Sequence, residues 1–280
     1  MTVKKWSVYP EDLNINKRIY GISGFMRVRN EGEWLRLAIE SHIPFLDEIV
    51  VVHNRCTDDS PQIAEDLKKK YPNQIKVIHY EPDVYPQGSK EAISLPIDSP
   101  HSLANYYNFA LCQTTRKIAL KVDGDQIAIP TLYEEMIKTI RSFNEQRYYY
   151  RFCGINLYLH NGEIKVQGVK NITAMDRGFF EINNTSHPWH DMKRDSGLEI
   201  LKFGAIRIYN YPIPSYFHMK GMKRDKGVGN YDLADNPSSR YHSIFKKEWE
   251  SSEPIGWEDF ISSKKYADII PHPKELGVVI

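Results

Sequence analysis

Cysteine is scarce in this chain: three in 280 residues, Cys56, Cys112 and Cys153, an odd number with no close pair. That points away from a disulfide framework and toward a reducing compartment. Long apolar runs are missing as well, so no segment reads as a bilayer span. Met1 to Pro10 lacks the apolar core of a signal peptide, and the expected location is the cytoplasm. Neither sign of charge dominates: 37 Lys and Arg stand against 36 Asp and Glu. That balance argues against a nucleic-acid partner held by bulk positive charge. No internal repeat or low-complexity tract occurs. Two Asn-x-Thr sequons, Asn171-Ile-Thr173 and Asn183-Asn-Thr185, come without an export signal and are read as chance.

What is present is the composition of a globular α/β protein, with 41% hydrophobic residues. Tyr20 to Val28 reads as a strand, and Trp34, Leu35, Ala38, Ile39 and Ile43 recur at helical spacing. Glu48 to Val52 is a buried strand; Ser60-Pro61 starts a helix, with the serine as cap and the proline in the first turn. Ile75 to Tyr80 is a third strand. A loop runs from about Glu81 to Pro100, Ser102 to Gln113 is helical, Ile118 to Val122 is a strand, and Pro130 to Ile140 is a helix. Such alternation predicts a mostly parallel sheet with right-handed crossovers. Asn161-Gly162, between Tyr148 to Leu159 and Glu163 to Val169, is a hairpin signal. Asn183 to Ser196 and Met219 to Asn236 read as irregular, polar loops. The expected division is 1–18 as an N-terminal extension, 19–145 as the first half of the α/β domain, 146–240 as its loop-rich second half and 241–280 as a packed C-terminal segment.

The densest chemical signal is Lys117-Ile-Ala-Leu-Lys-Val-Asp-Gly-Asp-Gln126. An apolar strand runs straight into Asp123 and Asp125, and parallel strands present their carboxyl ends to ligands. Two hard oxygen donors at a strand end suit Mg²⁺ or Mn²⁺, and the metal can neutralise a diphosphate. Gly124 permits a tight turn. Taken alone, Asp-Gly-Asp is equally a plain turn.

The order of signals resembles a nucleotide-sugar-dependent glycosyltransferase of the GT-A type, similar to family 2. Phe25-Met-Arg-Val-Arg-Asn-Glu31, Ile39-Glu-Ser41, Asn54-Arg-Cys-Thr-Asp58 and Tyr106-Tyr-Asn108 resemble a smaller group still, the bacterial lipooligosaccharide β-1,4-N-acetylgalactosaminyltransferases. The similarity covers roughly Tyr20 to Leu132, with Leu198-Glu-Ile-Leu-Lys202 and Tyr216-Phe-His218 beyond it. It implies an inverting transfer from a UDP-sugar, N-acetylgalactosamine or a related hexose, to a saccharide or glycolipid acceptor in lipooligosaccharide or capsule synthesis, with Mn²⁺ or Mg²⁺ as cofactor. His53 and Asn54 stand where the common pattern has two acidic residues. A Glu-Asp pair, expected near the acceptor, is matched only at Gly256-Trp-Glu-Asp259.

Donor binding is therefore expected from Arg27, Asn30, Glu31, Asn54, Asp58, Asn108, Lys121 and Asp123, and metal ligation from Asp123, Asp125 and His218. Each has a plainer alternative: Asn30 can cap a helix, Arg27 can form a surface ion pair, Asn108 can satisfy buried backbone, and a lone histidine is often structural. An inverting transfer needs a carboxylate base. Glu199 is the first candidate, Asp191 the second, and Glu258-Asp259 the third, with a solvated helix carboxylate as the plain reading of Glu199. Lys220, Lys223, Arg224 and Lys226 form a cationic run, by default a solvated loop, otherwise a lid over the diphosphate or a contact with anionic lipid at the membrane's inner face. His187 and His190 could suggest zinc, but no further thiol or histidine lies nearby in sequence. The rival functions are a sugar-1-phosphate nucleotidyltransferase and a non-catalytic sugar-binding protein with the same sheet.

Overall fold

Strand β1 (Ile19–Val28) is buried from Gly21 to Met26, and its side chains alternate between two cores. Ile22, Met26 and Val28 point into one, Phe25 into the other, and Ile49 and Val51 against Val50 and Val52 do the same on β2 (Glu48–His53). The computed structural model that shows this describes residues 6–86, 88–96, 98–143, 147–168, 171–175, 177–183, 189–193, 198–204, 206–224 and 253–279. Parallel to these strands lie β3 (Ile75–His79) and β4 (Arg116–Lys121). Helices α1 (Leu35–His42), α2 (Ser60–Lys70) and α5 (Pro130–Ser142) cover the first core. Helix α4 (Leu103–Cys112) and the N-terminal residues Val8 and Leu13 cover the second. A short helix, α3 (Lys90–Ser94), capped by Ser89, interrupts the loop after β3. The expected α/β architecture, a mostly parallel sheet flanked by helices, is the one the chain adopts.

Strands from the second half of the chain extend the same sheet. They are β6 (Tyr148–Phe152), β9 (Arg177–Glu181) and β12 (Arg207–Asn210), giving a seven-stranded order β12-β6-β9-β4-β1-β2-β3 with β9 antiparallel to its neighbours. A five-stranded sheet packs alongside, ordered β14-β8-β7-β13-β5. Its strands are β5 (Gln126–Ala128), β7 (Ile155–His160), β8 (Glu163–Val166), β13 (Tyr216–Gly221) and β14 (Ile255–Gly256). β10 (Trp189–Lys193) and β11 (Leu198–Lys202) form an antiparallel ribbon, and α6 (Trp257–Ser262) follows β14.

Three expectations change. The stretch from Tyr148 to Leu159 is two strands in two sheets, broken at Cys153-Gly154. Gly154 is needed there because a Cβ would sit 2.4 Å from the Tyr216 ring. Asn183 to Ser196 contains β10, whose His190 is buried beside α4 with its backbone held by Asn108. Ser60 does not cap its own helix: its hydroxyl accepts the Glu31 N–H at 2.8 Å, and the residue at the cap position is Asp59, without a side-chain bond. The hairpin turn is as expected, with Asn161 and Gly162 both at positive φ. The domain boundaries near 145 and 240 fall outside the described residues.

His42 lies wholly buried at the end of α1, its ring nitrogens 2.8 Å from the Ala38 carbonyl and 3.0 Å from the Tyr133 hydroxyl. Burial pushes its pKa down to about 4 from 6.5. As pH falls through this window the unfolded chain takes a proton that the native ring refuses, so stability is lost progressively from pH 6.5 to about 4. That gap corresponds to about 3 kcal/mol. Urea titrations at the two ends of the window should show His42→Gln losing about 3 kcal/mol less than the wild type; equal losses would show that His42 is not the responsible group.

Candidate active site

The strand order reverses between β1 and β4, so the loops that follow them open on the same crevice. The Val122 N–H bonds to the Phe25 carbonyl at 3.0 Å and holds the two ends level. Past Val122 the backbone turns through Asp123-Gly124-Asp125 into β5. Gly124 is required by close approach: a Cβ would lie 2.9 Å from Cβ and Cγ of Glu31, which packs beneath the turn. The Asp-Gly-Asp turn thus joins the large sheet to the small one, and Glu31 from the β1 loop sits under the joint.

Every carboxylate here meets a cation. Asp123 pairs with Arg177 at the start of β9 and has Lys121 Nζ at 3.9 Å. Burial opposes its ionisation, but Arg177, Lys121 and Arg27 hold its pKa well below the usual carboxylate range. Asp125 Oδ2 lies 2.8 Å from Lys223 Nζ, and the same ammonium is 2.5 Å from Glu31 Oε2. Asp125 also stays ionised despite burial, chiefly through Lys223.

All of these groups but Lys223 line one side of a cleft of about 410 Å³. On the other side, Tyr107 of α4 forms a platform. Lys121 Nζ lies 4.3 Å from its ring centroid and the Arg27 guanidinium 5.0 Å, while His190 of β10 stacks on it at 4.8 Å and 16°. Burial, with Lys121 and Arg177 nearby, pushes the His190 pKa far down and keeps the ring neutral. Glu199 on β11 reaches the same space, 3.6 Å from Lys121 Nζ and 3.7 Å from His190 Nε2. Val84, Tyr85, Pro86 and Leu103 add an apolar wall.

Asp125 and His218 are the two described side chains that could hold a divalent cation between them. His218 Nδ1 is 2.7 Å from Asn156 Oδ1, an acceptor, so the ring carries its proton there. Burial lowers the His218 pKa and leaves the ring neutral. Its bare Nε2 therefore faces Asp125 Oδ1 at 3.6 Å, lone pair against lone pair, a juxtaposition that a metal ion would relieve. Among the described residues no three His, Cys, Asp or Glu side chains are grouped to hold a metal by themselves, so further ligands would come from a substrate. Asp123, expected as a ligand, pairs with Arg177.

The model of one protein family, beta-1,4-N-acetylgalactosaminyltransferase (CgtA), matches residues 4–273. The chain belongs to this family. Solved structures with some likeness to this CgtA-family chain include glucosyl-3-phosphoglycerate synthase from Mycobacterium tuberculosis, in complex with Mn²⁺, UDP and phosphoglyceric acid. That likeness has 17% identity over 55% of this chain and 48% of that one, with a TM-score of 0.33. S. aureus TarS 1–349 in complex with UDP shares 13% identity over 72% of this chain and 62% of that one, with a TM-score of 0.41. The chain therefore spans about half the length of the first and less than two thirds of the second. No curated protein matches it.

In this CgtA-family chain the expected residues divide into two groups. Arg27, Glu31, Asn54, Lys121, Asp123, Asp125, Glu199 and His218 border the cleft. Asn54, though, uses its amide to hold the carbonyls of Tyr80 and Pro82 at 2.7 and 2.8 Å. The rest shape loops. Asn30, in the left-handed region, exchanges hydrogen bonds with Thr57, and Asp58 accepts from the N–H groups of Gly32 and Ser60. The Asn108 amide donates to the His190 carbonyl at 2.8 Å and accepts from its N–H at 2.9 Å, so it positions β10. Asp191 points off the cleft to Lys202, as strand alternation from His190 dictates. Glu199 is on a strand, not on a solvated helix, and Glu258 and Asp259 lie in the first turn of α6, outside the lining. Lys220 borders the cleft and Arg224 is exposed; Lys226 and His187 lie outside the described residues. Sequence reasoning missed Arg29, Arg177 and His190 as lining residues, and took Tyr107 only as part of a motif.

Replacing Asn108 by leucine leaves both backbone groups of His190 buried without their partner. Each orphaned group costs about 1–3 kcal/mol. Denaturant unfolding of Asn108→Leu should give a loss of about 2–4 kcal/mol, and a loss under about 0.5 kcal/mol would mean that β10 is held by other contacts.

Proposed function

We propose that this chain is a glycosyltransferase that moves N-acetylgalactosamine, or a related hexose, from a UDP donor to a saccharide acceptor with inversion at the anomeric carbon. The family supports the sugar. The observation that carries the chemistry is the charge cluster at the Asp-Gly-Asp turn, with Asp125 and His218 poised to share a cation. A divalent ion bound there would supply charge neutralisation for the departing diphosphate.

The chain's own residues do the rest. Arg27, Lys121 and Arg177 draw the diphosphate to the carboxyl ends of β1 and β4, where low exposure strengthens each attraction. The Tyr107 face and the apolar wall exclude water beside it. Glu199 accepts the acceptor hydroxyl's proton, because it alone of the two β10–β11 carboxylates borders the cleft. His190, neutral and stacked on Tyr107, holds the Glu199 side of the cleft in place. The acceptor in this reading is a growing cell-surface glycan, lipooligosaccharide or capsule, and the work is done at the cytoplasmic face of the membrane.

Removal of a general base lowers turnover by about 10²–10⁴-fold. Glu199→Gln should therefore reduce kcat by that factor with the donor KM held within about threefold, while Asp191→Asn stays within about threefold of wild type in both. The assay follows UDP released from UDP-N-acetylgalactosamine in the presence of acceptor. The reverse ranking would move the base to Asp191. Pyrophosphate released from the sugar phosphate plus UTP, without UDP from the nucleotide sugar, would make the protein a nucleotidyltransferase.

A further inference from the structure

Lys223 is a buried ammonium in an unusual position. It lies just beyond β13, in a turn where the Met222 N–H bonds to the Met219 carbonyl at 2.8 Å. The Met219 N–H in turn bonds to the Asp125 carbonyl at 2.8 Å, so backbone bonds tie this turn to the Asp-Gly-Asp segment. The Lys223 side chain is 5% exposed, and the carboxylates it bridges, Glu31 and Asp125, are each 7% exposed. Burial disfavours the charge, yet the two carboxylates raise the lysine's pKa above its ordinary value, and it stays protonated.

The other oxygen of Asp125 is the one that faces the bare Nε2 of His218 at 3.6 Å. Asp125 and His218 would offer two donors to a divalent ion, with the remaining ligands supplied by a substrate. With the ammonium there, Glu31 is occupied, one oxygen of Asp125 is occupied, and a positive charge stands beside the space that a second cation would enter. We propose that the Lys223 ammonium is a resident counter-cation that makes divalent-metal binding conditional on the nucleotide. This rests on the UDP-sugar reading above and goes beyond it. A diphosphate brings both the missing oxygen ligands and the negative charge that offsets two neighbouring cations. Without the diphosphate the ammonium alone balances Glu31 and Asp125, and the metal has little hold. Metal and UDP then arrive together and leave together, and the vacated carboxylates are never left buried without a partner.

The test is direct Mn²⁺ binding, read from the electron paramagnetic resonance signal of the free ion, on the full chain with and without UDP. Wild type should bind Mn²⁺ at least about tenfold more tightly with UDP than without. Lys223→Met should bind Mn²⁺ alone at least about tenfold more tightly than wild type alone, and the dependence on UDP should shrink. Should that variant fail to fold in a thermal melt, Lys223→Gln, which can still hydrogen-bond both carboxylates, takes its place with the same expectation. Two results overturn the proposal while leaving the donor reading standing: wild type holding Mn²⁺ equally well with and without UDP, or the variant gaining nothing while UDP·Mn²⁺ still binds. Failure of UDP to bind under any condition overturns both.

Discussion

The structure depends on charges that are buried together at the joint between two sheets. An isolated carboxylate or ammonium taken out of water costs several kcal/mol, so Glu31, Asp123 and Asp125 can occupy this place only if their partners arrive as well. Those partners come from far along the chain: Arg177 opens β9 in the large sheet and Lys223 follows β13 in the small one. The Asp-Gly-Asp turn leaves β4 and enters β5, so it belongs to both sheets at once. A folded site is therefore evidence that both sheets have docked, and the ion pairs make the docking specific where apolar packing alone would permit some slip.

Position follows from topology. Reversal of strand order between β1 and β4 leaves an open crevice at their carboxyl ends, and the loops that border it are tied off by their own polar groups. Asn30 with Thr57, Asp58 with Gly32 and Ser60, and Ser60 with Glu31 join the loop after β1 to the loop after β2. These bonds keep Glu31 beneath Gly124. Asn108 does the same for β10 from the opposite wall. Polar residues near a site thus divide into those that meet a ligand and those that satisfy backbone, and the second kind set the precision of the first.

That division explains what was legible in the sequence. β1 to β4 and the helices between them could be read because β-branched runs and helical spacing are local signals. Asp123 and Asp125 could be read because a strand running into paired acids is local too. Arg177 could not: it stands in a short strand with no periodic mark, and only the fold brings it to Asp123. His190 lies in a stretch that reads as loop, since a two-stranded ribbon held by α4 needs few apolar residues of its own. Asn54 and Asn108 were visible as motif members, but an amide that holds backbone and an amide that holds a ligand look alike in a sequence. Glu199 and Asp191 could be ranked only weakly until strand parity turned one toward the cleft and the other toward Lys202.

Charge also limits what the cleft can accept. Arg27, Arg29, Lys121, Arg177 and Lys220 border it against Glu31, Asp123, Asp125 and Glu199, and Lys223 stands directly behind. With His190 and His218 neutral, the cations exceed the carboxylates by two, six against four. A doubly negative diphosphate restores balance; a neutral sugar does not, and a divalent ion alone makes the excess worse. The ammonium at Lys223 is the member of the set that a metal would disturb most, because Asp125, one of its two carboxylates, is the one a metal would share with His218. Electrostatic balance and donor geometry thus lead separately to the same side chain.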